Sequence, residues 1–277
     1  MKISLFSESL YALSLDEAVL VTRDAGYPAI EIGCKIPHFD LEMAKANAEG
    51  VAGRIAQAGL AVSALSLYDS FTDQETLEGE VEAAETFIHL APLFKTKIIK
   101  LTPGRPSSTE ATDAHWQHLK KALDRLIPLA EEVGVRLAFE THMRQLTDTM
   151  ASSMRLLEMA QSKAVGLTVD FSNLRFAGES MPNVLSAFKG RIYNTHVKNG
   201  YIDPQGGWHF QALDTGMTDY LEVLPLLRDA GYDGYLTVEC LGADAKDRPA
   251  QTVSRDLEIL KRYLGQVGWD GTDGRQK

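Results

Sequence analysis

The sequence predicts a single (β/α)8 barrel (TIM barrel), in which eight parallel strands alternate with eight helices. Three observations predict this fold class. The chain has 277 residues, close to the ~250 that are typical of such a barrel. Short apolar segments alternate with longer amphipathic segments eight times, and no linker divides the chain. No Gly-x-Gly-x-x-Gly pattern follows the first strand, which disfavours the alternative of a doubly wound open sheet.

The eight predicted strands are short and apolar, and several predicted helices are followed by glycine, a common helix stop. In chain order the predicted strands are Lys2–Phe6, Ala29–Gly33, Ala61–Leu67, Lys97–Thr102, Val135–His142, Val165–Phe171, Ile192–Lys198 and Tyr235–Cys240. The predicted helices are Leu15–Ala25, Leu41–Ala58, Glu75–Leu93, Glu110–Glu132, Thr149–Gln161, Pro182–Phe188, Thr218–Ala230 and Pro249–Leu264. We therefore assign residues 1–264 to the barrel domain and residues 265–277, rich in glycine and charge, to a flexible C-terminal tail.

The composition excludes several classes of function. A net charge of −10, from 28 Lys and Arg against 38 Asp and Glu, disfavours binding to nucleic acid or to an anionic membrane. The two cysteines provide neither a disulfide framework nor a zinc-binding pair. The N-terminus lacks the apolar core of a signal peptide, and no apolar run approaches the ~18 residues of a membrane span. These features predict a cytoplasmic protein that acts on a small molecule.

The fifth predicted strand ends in an acid and an imidazole. Glu140 and His142 are two residues apart, so the alternation of a strand places them on the same side. Barrel enzymes carry their catalytic groups at the carboxyl ends of the strands. Both residues are therefore candidate catalytic residues.

Four successive strands end in a residue that can ligate a metal: Glu140, Asp170, His196 and Glu239. The strand ends of a closed barrel meet at one mouth, where three carboxylates repel one another unless a cation holds them. Three carboxylates and one imidazole suit Mn²⁺, Mg²⁺ or Co²⁺, with Zn²⁺ as a further alternative. The sequence thus predicts a divalent metal site.

These residues also carry a family resemblance. The recurring phrases are Ile-Glu-Ile-Gly (30–33), Val-Asp-Phe-Ser-Asn (169–173), Thr-His-Val-Lys-Asn (195–199) and Gly-Tyr-Asp-Gly-Tyr-Leu-Thr-Val-Glu (231–239). With the four strand-end residues, the chain to about residue 264 resembles the xylose isomerase-like TIM barrel superfamily, which includes sugar phosphate isomerases and epimerases. The resemblance implies that the four residues bind a divalent metal, most often Mn²⁺. It also implies that Glu140 and Glu239 form the acid/base pair.

The resemblance implies an isomerase or epimerase that removes a proton next to the metal-bound carbonyl of a sugar or keto-sugar, giving an enediolate. An alternative comes from Glu140-Thr141-His142 followed by residues 146–149, Leu-Thr-Asp-Thr, which resemble 3-dehydroshikimate dehydratases. A Glu-x-His at this strand also occurs in family members that cleave 3-keto C-glycosides. The alternative is therefore a metal-dependent lyase or dehydratase on a keto-sugar or cyclic keto-polyol, with His142 as a base or hydrogen-bond partner.

Further side chains near the predicted mouth are candidates for binding substrate. Asn173 stands where many family members have His, and Lys198 points to the same side of its strand as His196. Lys100 lies near the end of the fourth strand, and three residues of the predicted loops complete the set: Tyr68, Trp208 and His209. Glu31, in the second strand, is interpreted as a structural partner of a neighbouring basic residue.

Two other functions and the assembly state remain open at this stage. A nuclease on the same fold requires a basic groove, which the net charge of −10 disfavours. A non-catalytic binding barrel is the other alternative. The partner expected is a carbohydrate-like substrate. A homo-oligomer is one expected assembly, and a second, different subunit is expected if the chain cleaves C-glycosides.

Overall fold

The computed structural model describes residues 1–269, so residues 270–277 of the predicted tail lie outside the described residues. Eight parallel strands form a closed barrel, which confirms the predicted fold class. The barrel strands are β1 (Lys2–Phe6), β2 (Ala29–Gly33), β3 (Ala61–Ser66), β4 (Ile98–Leu101), β5 (Arg136–Glu140), β6 (Val165–Asp170), β7 (Ile192–Val197) and, after a hairpin of β8 (Asn199–Ile202) and β9 (Trp208–Gln211), β10 (Tyr235–Val238). Neighbouring strands follow chain order, and β10 pairs with β1 to close the barrel.

Helices follow the strands around the barrel. They are α1 (Leu15–Asp24), α2 (Leu41–Gln57), α3 (Leu77–Leu90), α4 (Asp113–Val133), α5 (Met150–Ala160), α6 (Phe171–Phe176), α7 (Met181–Ala187), α8 (Tyr220–Asp229), α9 (Ala243–Asp247) and α10 (Pro249–Gln266). The sequence does not predict the short helices α6 and α9, and α10 continues two residues into the segment assigned to the tail. Within residues 1–269, no helix is both long and apolar enough to cross a membrane.

The strands are apolar because both of their faces are covered. All residues of β2, β6 and β7 are buried, as expected for a parallel sheet wrapped by helices. Gly166 in β6 shows how close the packing is, since a Cβ there would lie 2.3 Å from the ring of Tyr193 on β7. The rigid barrel fixes the positions of the strand ends and therefore of the side chains that follow them.

The segment after β7 differs from the sequence prediction. The sequence predicts a loop here, but β8 and β9 pair as an antiparallel hairpin in which Tyr201 lies opposite His209. Along β9, Trp208 and Phe210 are half-buried, whereas His209 and Gln211 are exposed. The alternation of the strand therefore turns two aromatic rings towards the barrel and His209 away from it.

Candidate metal centre and active site

Four side chains meet at the carboxyl end of the barrel and form what we call the four-residue cluster. Glu140 ends β5, Asp170 ends β6, His196 lies in β7, and Glu239 directly follows β10. One potential ligand atom from each lies within 4.8 Å of those of the others, and all four residues are buried. Parallel pairing sets Asp170 beside His196 on the next strand. The structure thus brings together the residues that the sequence predicted to converge.

The cluster has the donor atoms that a divalent cation requires. The Nε2 atom of His196 lies 2.9 Å from Glu31 Oε1; because a carboxylate only accepts, Nε2 carries the proton. Nδ1 is therefore the nitrogen that faces the other cluster residues, 3.4 Å from Glu140 Oε1 and 3.8 Å from Glu239 Oε2, and it has no hydrogen-bond partner among residues 1–269. A ligand histidine whose other nitrogen donates to a carboxylate is the usual arrangement in metal sites. The residues present therefore fit a divalent metal ion.

Two buried lysines balance the charge of the cluster. Lys100 Nζ lies 2.6 Å from Glu140 Oε2. Lys198 Nζ lies 2.8 Å from Glu239 Oε2, and 2.9 Å from Asp170 Oδ2 without hydrogen-bond geometry. Burial alone would lower the pKa of Lys198, but the two carboxylates hold it well above its ordinary value. Both lysines are therefore charged beside the cluster.

The carboxylates of the cluster differ in their electrostatic surroundings. Burial raises the pKa of Glu140, but Lys100 and His196 outweigh that effect and hold it well below its ordinary value. Burial raises the pKa of Asp170, and Lys198 offsets only part of this effect. Before any cation binds, Glu140 is thus the more firmly ionised of the two.

A cavity of about 480 Å³, which we call the mouth cavity, opens over the cluster. Glu140, Glu239 and His142 line it. His142 lies two residues beyond the end of β5, and its Nδ1 donates to the carbonyl oxygen of Met143 at 2.8 Å. Its Nε2 is then the nitrogen that retains a lone pair. Nδ1 of His142 is therefore bonded to a loop carbonyl, and Nε2 is the nitrogen of this cavity-lining residue that can accept a proton.

The predicted substrate-binding residues fall into two groups. Tyr68, Trp208 and Lys198 line the mouth cavity, but Lys100 lies behind Glu140 and does not line it. His209 is outside the cavity as well, since its ring stacks on Tyr201, with centroids 4.9 Å apart.

Asn173 does not line the cavity. Its side-chain amide donates to the carbonyl oxygen of Thr141 at 3.1 Å, and its backbone N–H donates to Asp170 Oδ1 at 2.9 Å. Asn173 therefore joins the loop that carries His142 to a carboxylate of the four-residue cluster.

Sequence reasoning missed several residues around the site. Glu8, Lys35, Asp69 and Phe210 line the mouth cavity. Glu8, Lys35 and Asp69 closely follow β1, β2 and β3. They could have been found by looking for charged residues at the ends of all eight strands and not only of the later ones. Glu31, which the sequence analysis interprets as the structural partner of a basic residue, is bonded to a histidine of the cluster. Its partners are His196 and Asn194, at 2.9 and 2.8 Å.

The structure is a closed parallel barrel with a buried cluster of carboxylates and one imidazole at its carboxyl end, where a metal ion could bind. The chain belongs to the xylose isomerase-like TIM barrel family, whose sequence model matches residues 19–263. This match confirms the family predicted from the sequence motifs.

Curated relatives include dehydratases. An inosose dehydratase of Lacticaseibacillus casei is 28% identical over 167 residues, which cover 55% of this chain and 55% of the relative. The chain thus spans about half the length of that relative. An inosose dehydratase of Geobacillus thermodenitrificans (strain NG80-2) is 24% identical over 279 residues, 91% of each chain. These names agree with the local resemblance to dehydratases.

Solved structures show the same fold at low identity. The IOLI protein with a binding zinc atom has a TM-score of 0.83 at 16% identity, covering 96% of this chain and 99% of its own. An L-ribulose 3-epimerase has a TM-score of 0.79 at 21% identity and covers 100% of both chains. The probable 3-DHS dehydratase AsbF from Bacillus anthracis has a TM-score of 0.78 at 20% identity, covering 94% and 99%. The fold therefore serves both epimerases and dehydratases.

Proposed function

We propose that this protein is a divalent-metal-dependent dehydratase of a keto-sugar or cyclic keto-polyol such as an inosose. In this proposal it removes a proton next to the substrate carbonyl and then eliminates a β-hydroxyl as water. The observation that carries the proposal is the four-residue cluster, with ligand atoms within 4.8 Å of one another, below a cavity that His142 also lines. The elimination step is supported by His142 and by the relatives named inosose dehydratase.

The cluster residues Glu140, Asp170, His196 and Glu239 would hold the ion. We propose Mn²⁺ first, with Mg²⁺, Co²⁺ and Zn²⁺ as alternatives, since three carboxylates and one imidazole form a mainly oxygen-ligand set. When bound, a divalent cation acts as a Lewis acid that polarises the carbonyl oxygen of the substrate.

The chain's own groups would move the proton. His142 is the proposed base, because its Nδ1 proton is held by Met143 and its Nε2 keeps a lone pair. Lys198 balances the charge of Glu239 at 2.8 Å and lines the cavity, where it can also bind a substrate oxygen. Trp208 and Phe210 would cover the cavity and limit the entry of water.

Epimerisation or isomerisation is the second candidate, and it is the one that the sequence analysis placed first. It is favoured by a specific observation: Glu140 and Glu239 come from different strands, and both line the mouth cavity. One carboxylate could remove a proton while the other returns a proton to the opposite face. Dehydration and epimerisation share the proton abstraction and differ only in the fate of the resulting enolate.

Solvent deuterium distinguishes the two candidates. The protein is treated with EDTA, reloaded with Mn²⁺ and incubated in D2O with inososes, ketoses and 3-keto-glycosides. We expect deuterium in recovered substrate together with a product that has lost one water, and no reaction in the EDTA-treated protein. Deuterated epimer without dehydrated product would favour the second candidate. No exchange with any of these substrates would refute both.

Three expectations stay predictions of the sequence. They are the cytoplasmic location, a homo-oligomer and, for C-glycoside cleavage, a second and different subunit.

A further inference from the structure

Four acidic residues line the mouth cavity, and one of them differs from the rest. Three have a lysine nitrogen nearby: Glu8 with Lys35 at 3.4 Å, Glu140 with Lys100 at 2.6 Å, and Glu239 with Lys198 at 2.8 Å. The fourth, Asp69, forms no ion pair with any of residues 1–269. A buried carboxyl group without a cation is more stable in its neutral, protonated form.

The surroundings of Asp69 agree with that protonation state. The residue is only 5% exposed, and its Oδ2 is buried without a hydrogen-bond partner in the described part of the chain. Burial, together with Glu80 on α3, raises the pKa of Asp69 well above its ordinary value, and Lys100 on β4 offsets only part of this effect. Cys34, which follows β2, is the other titratable group that senses Asp69, and burial raises the pKa of its thiol as well. Asp69 therefore carries a proton that it can donate at neutral pH.

Asp69 also lies on the side of the barrel that faces the cluster. It follows β3 by three residues, and β3 is four strands from β7 in either direction around the eight-stranded barrel. The strands that carry the four-residue cluster, β5, β6, β7 and β10, are contiguous in the barrel. Asp69 and two residues of the cluster, Glu140 and Glu239, line the same cavity from different strands, so one substrate in this cavity can lie between them.

We propose that Asp69 is the general acid of the elimination, donating its carboxyl proton to the departing β-hydroxyl. This inference rests on the proposed dehydratase function. After the α-carbon has lost its proton to the base, the electron pair of the enolate forms the new bond between the α and β carbons. The β-carbon–oxygen bond breaks, its electron pair leaves with the oxygen, and the proton of Asp69 completes a water molecule.

The cycle is balanced without a further reactant. Asp69 is left as a carboxylate and regains a proton from solvent after product release, while the base returns its own proton to solvent. The two lysines that line the cavity, Lys35 and Lys198, are less suited to this step, because each is held in an ion pair with another carboxylate. Asp69 and His142 thus divide the roles of acid and base between two different environments.

The test separates proton abstraction from elimination. Asp69→Asn keeps the size of the side chain but cannot donate an acidic proton, and Asp73→Asn removes an exposed acid from the same segment as a matched control. With Mn²⁺-loaded protein in D2O, we expect D69N to exchange deuterium within about twofold of D73N. Its rate of dehydration should fall by roughly 100-fold or more, the contribution typical of a general acid. Asp69→Glu should recover part of this loss.

Three results would overturn the inference: dehydration by D69N within a few-fold of D73N, a parallel loss of exchange and dehydration, or no recovery in D69E. An infrared difference spectrum of metal-free wild type against D69N gives a readout that does not depend on activity. We expect the band of a protonated carboxyl group at neutral pH, and its absence would also contradict the inference. If wild type exchanges no deuterium at all, the proposed function fails, and the infrared band still decides the protonation state of Asp69.

Discussion

Glu31 is expected to control metal binding without touching the metal. Its Oε1 accepts from His196 Nε2 at 2.9 Å, and its Oε2 accepts from the Asn194 amide at 2.8 Å. Glu31→Gln replaces one of these acceptors with an amide that donates. Because the residue is fully buried, no water replaces the lost bond. Either His196 or Asn194 then loses its partner, and His196 is no longer held with Nδ1 towards the metal site.

The expected magnitude comes from this contact. Loss of a partner that orients a ligand histidine typically weakens metal binding by ~10–100-fold. At ~1.4 kcal/mol for each factor of ten, this corresponds to roughly 1.4–2.8 kcal/mol. Loss of the negative charge of Glu31 acts in the same direction, since it lies next to the cluster. Calorimetric titration of EDTA-treated protein with Mn²⁺ would measure the dissociation constant directly.

Glu8→Gln is the matched control for this prediction. Glu8 lines the same cavity and has its own lysine partner, but it lies outside the four-residue cluster. We expect E8Q to bind Mn²⁺ within about twofold of wild type. Equal affinity of E31Q and wild type, or an equal loss in E8Q and E31Q, would refute the role assigned to Glu31.

Three further predictions concern stability and the cavity. Lys100→Met leaves the Glu140 carboxylate buried without its partner at 2.6 Å. Urea unfolding of the metal-free protein should therefore show a loss of roughly 3–5 kcal/mol of unfolding free energy, which Mn²⁺ partly restores. A loss below ~1 kcal/mol would contradict this. Burial lowers the pKa of His38 from 6.5 to about 4. The stability that the protein gains from burying neutral His38 is therefore fully present above pH 6.5 and is lost as the pH falls to about 4. At ~1.4 kcal/mol per pH unit, the loss of unfolding free energy is roughly 3 kcal/mol. Urea unfolding should show this loss in wild type and in the exposed-site control His89→Gln, but not in His38→Gln. A dependence of unfolding free energy on pH in H38Q equal to that of wild type would contradict the assignment. Trp208→Ala opens the mouth cavity and should raise KM by roughly tenfold with little change in kcat; steady-state kinetics would contradict this if kcat fell instead.

The fold and the centre of the site could be predicted from local sequence rules. Apolar strands that alternate with amphipathic helices have few ways to bury their faces, and the barrel is one of them. Once it closes, strand register places the ends of β5, β6, β7 and β10 at one mouth. Glu140, Asp170, His196 and Glu239 could therefore be assigned to one site although they are far apart in the chain.

Other features depend on packing that has no local signal. Glu31 contacts His196 across the barrel interior, which requires the stagger of the strands and not only their order. His209 and Trp208 are adjacent in sequence, but pairing of β8 with β9 turns only Trp208 towards the cavity. Asn173 stands where many family members have His, and this position predicted a substrate contact. Its side-chain amide instead donates to the Thr141 carbonyl oxygen.

The metal centre is the feature on which the proposed function depends most: Glu140, Asp170, His196 and Glu239 are expected to bind one divalent metal ion. Anomalous X-ray diffraction from crystals grown with Mn²⁺ tests this most directly, because it locates the metal without reference to activity. We expect a single strong peak among the four side chains, with His196 bound through Nδ1, and no such peak in a variant that combines Glu140→Gln with Glu239→Gln. The absence of a peak in wild type, or a peak bound by other residues, would contradict the assignment.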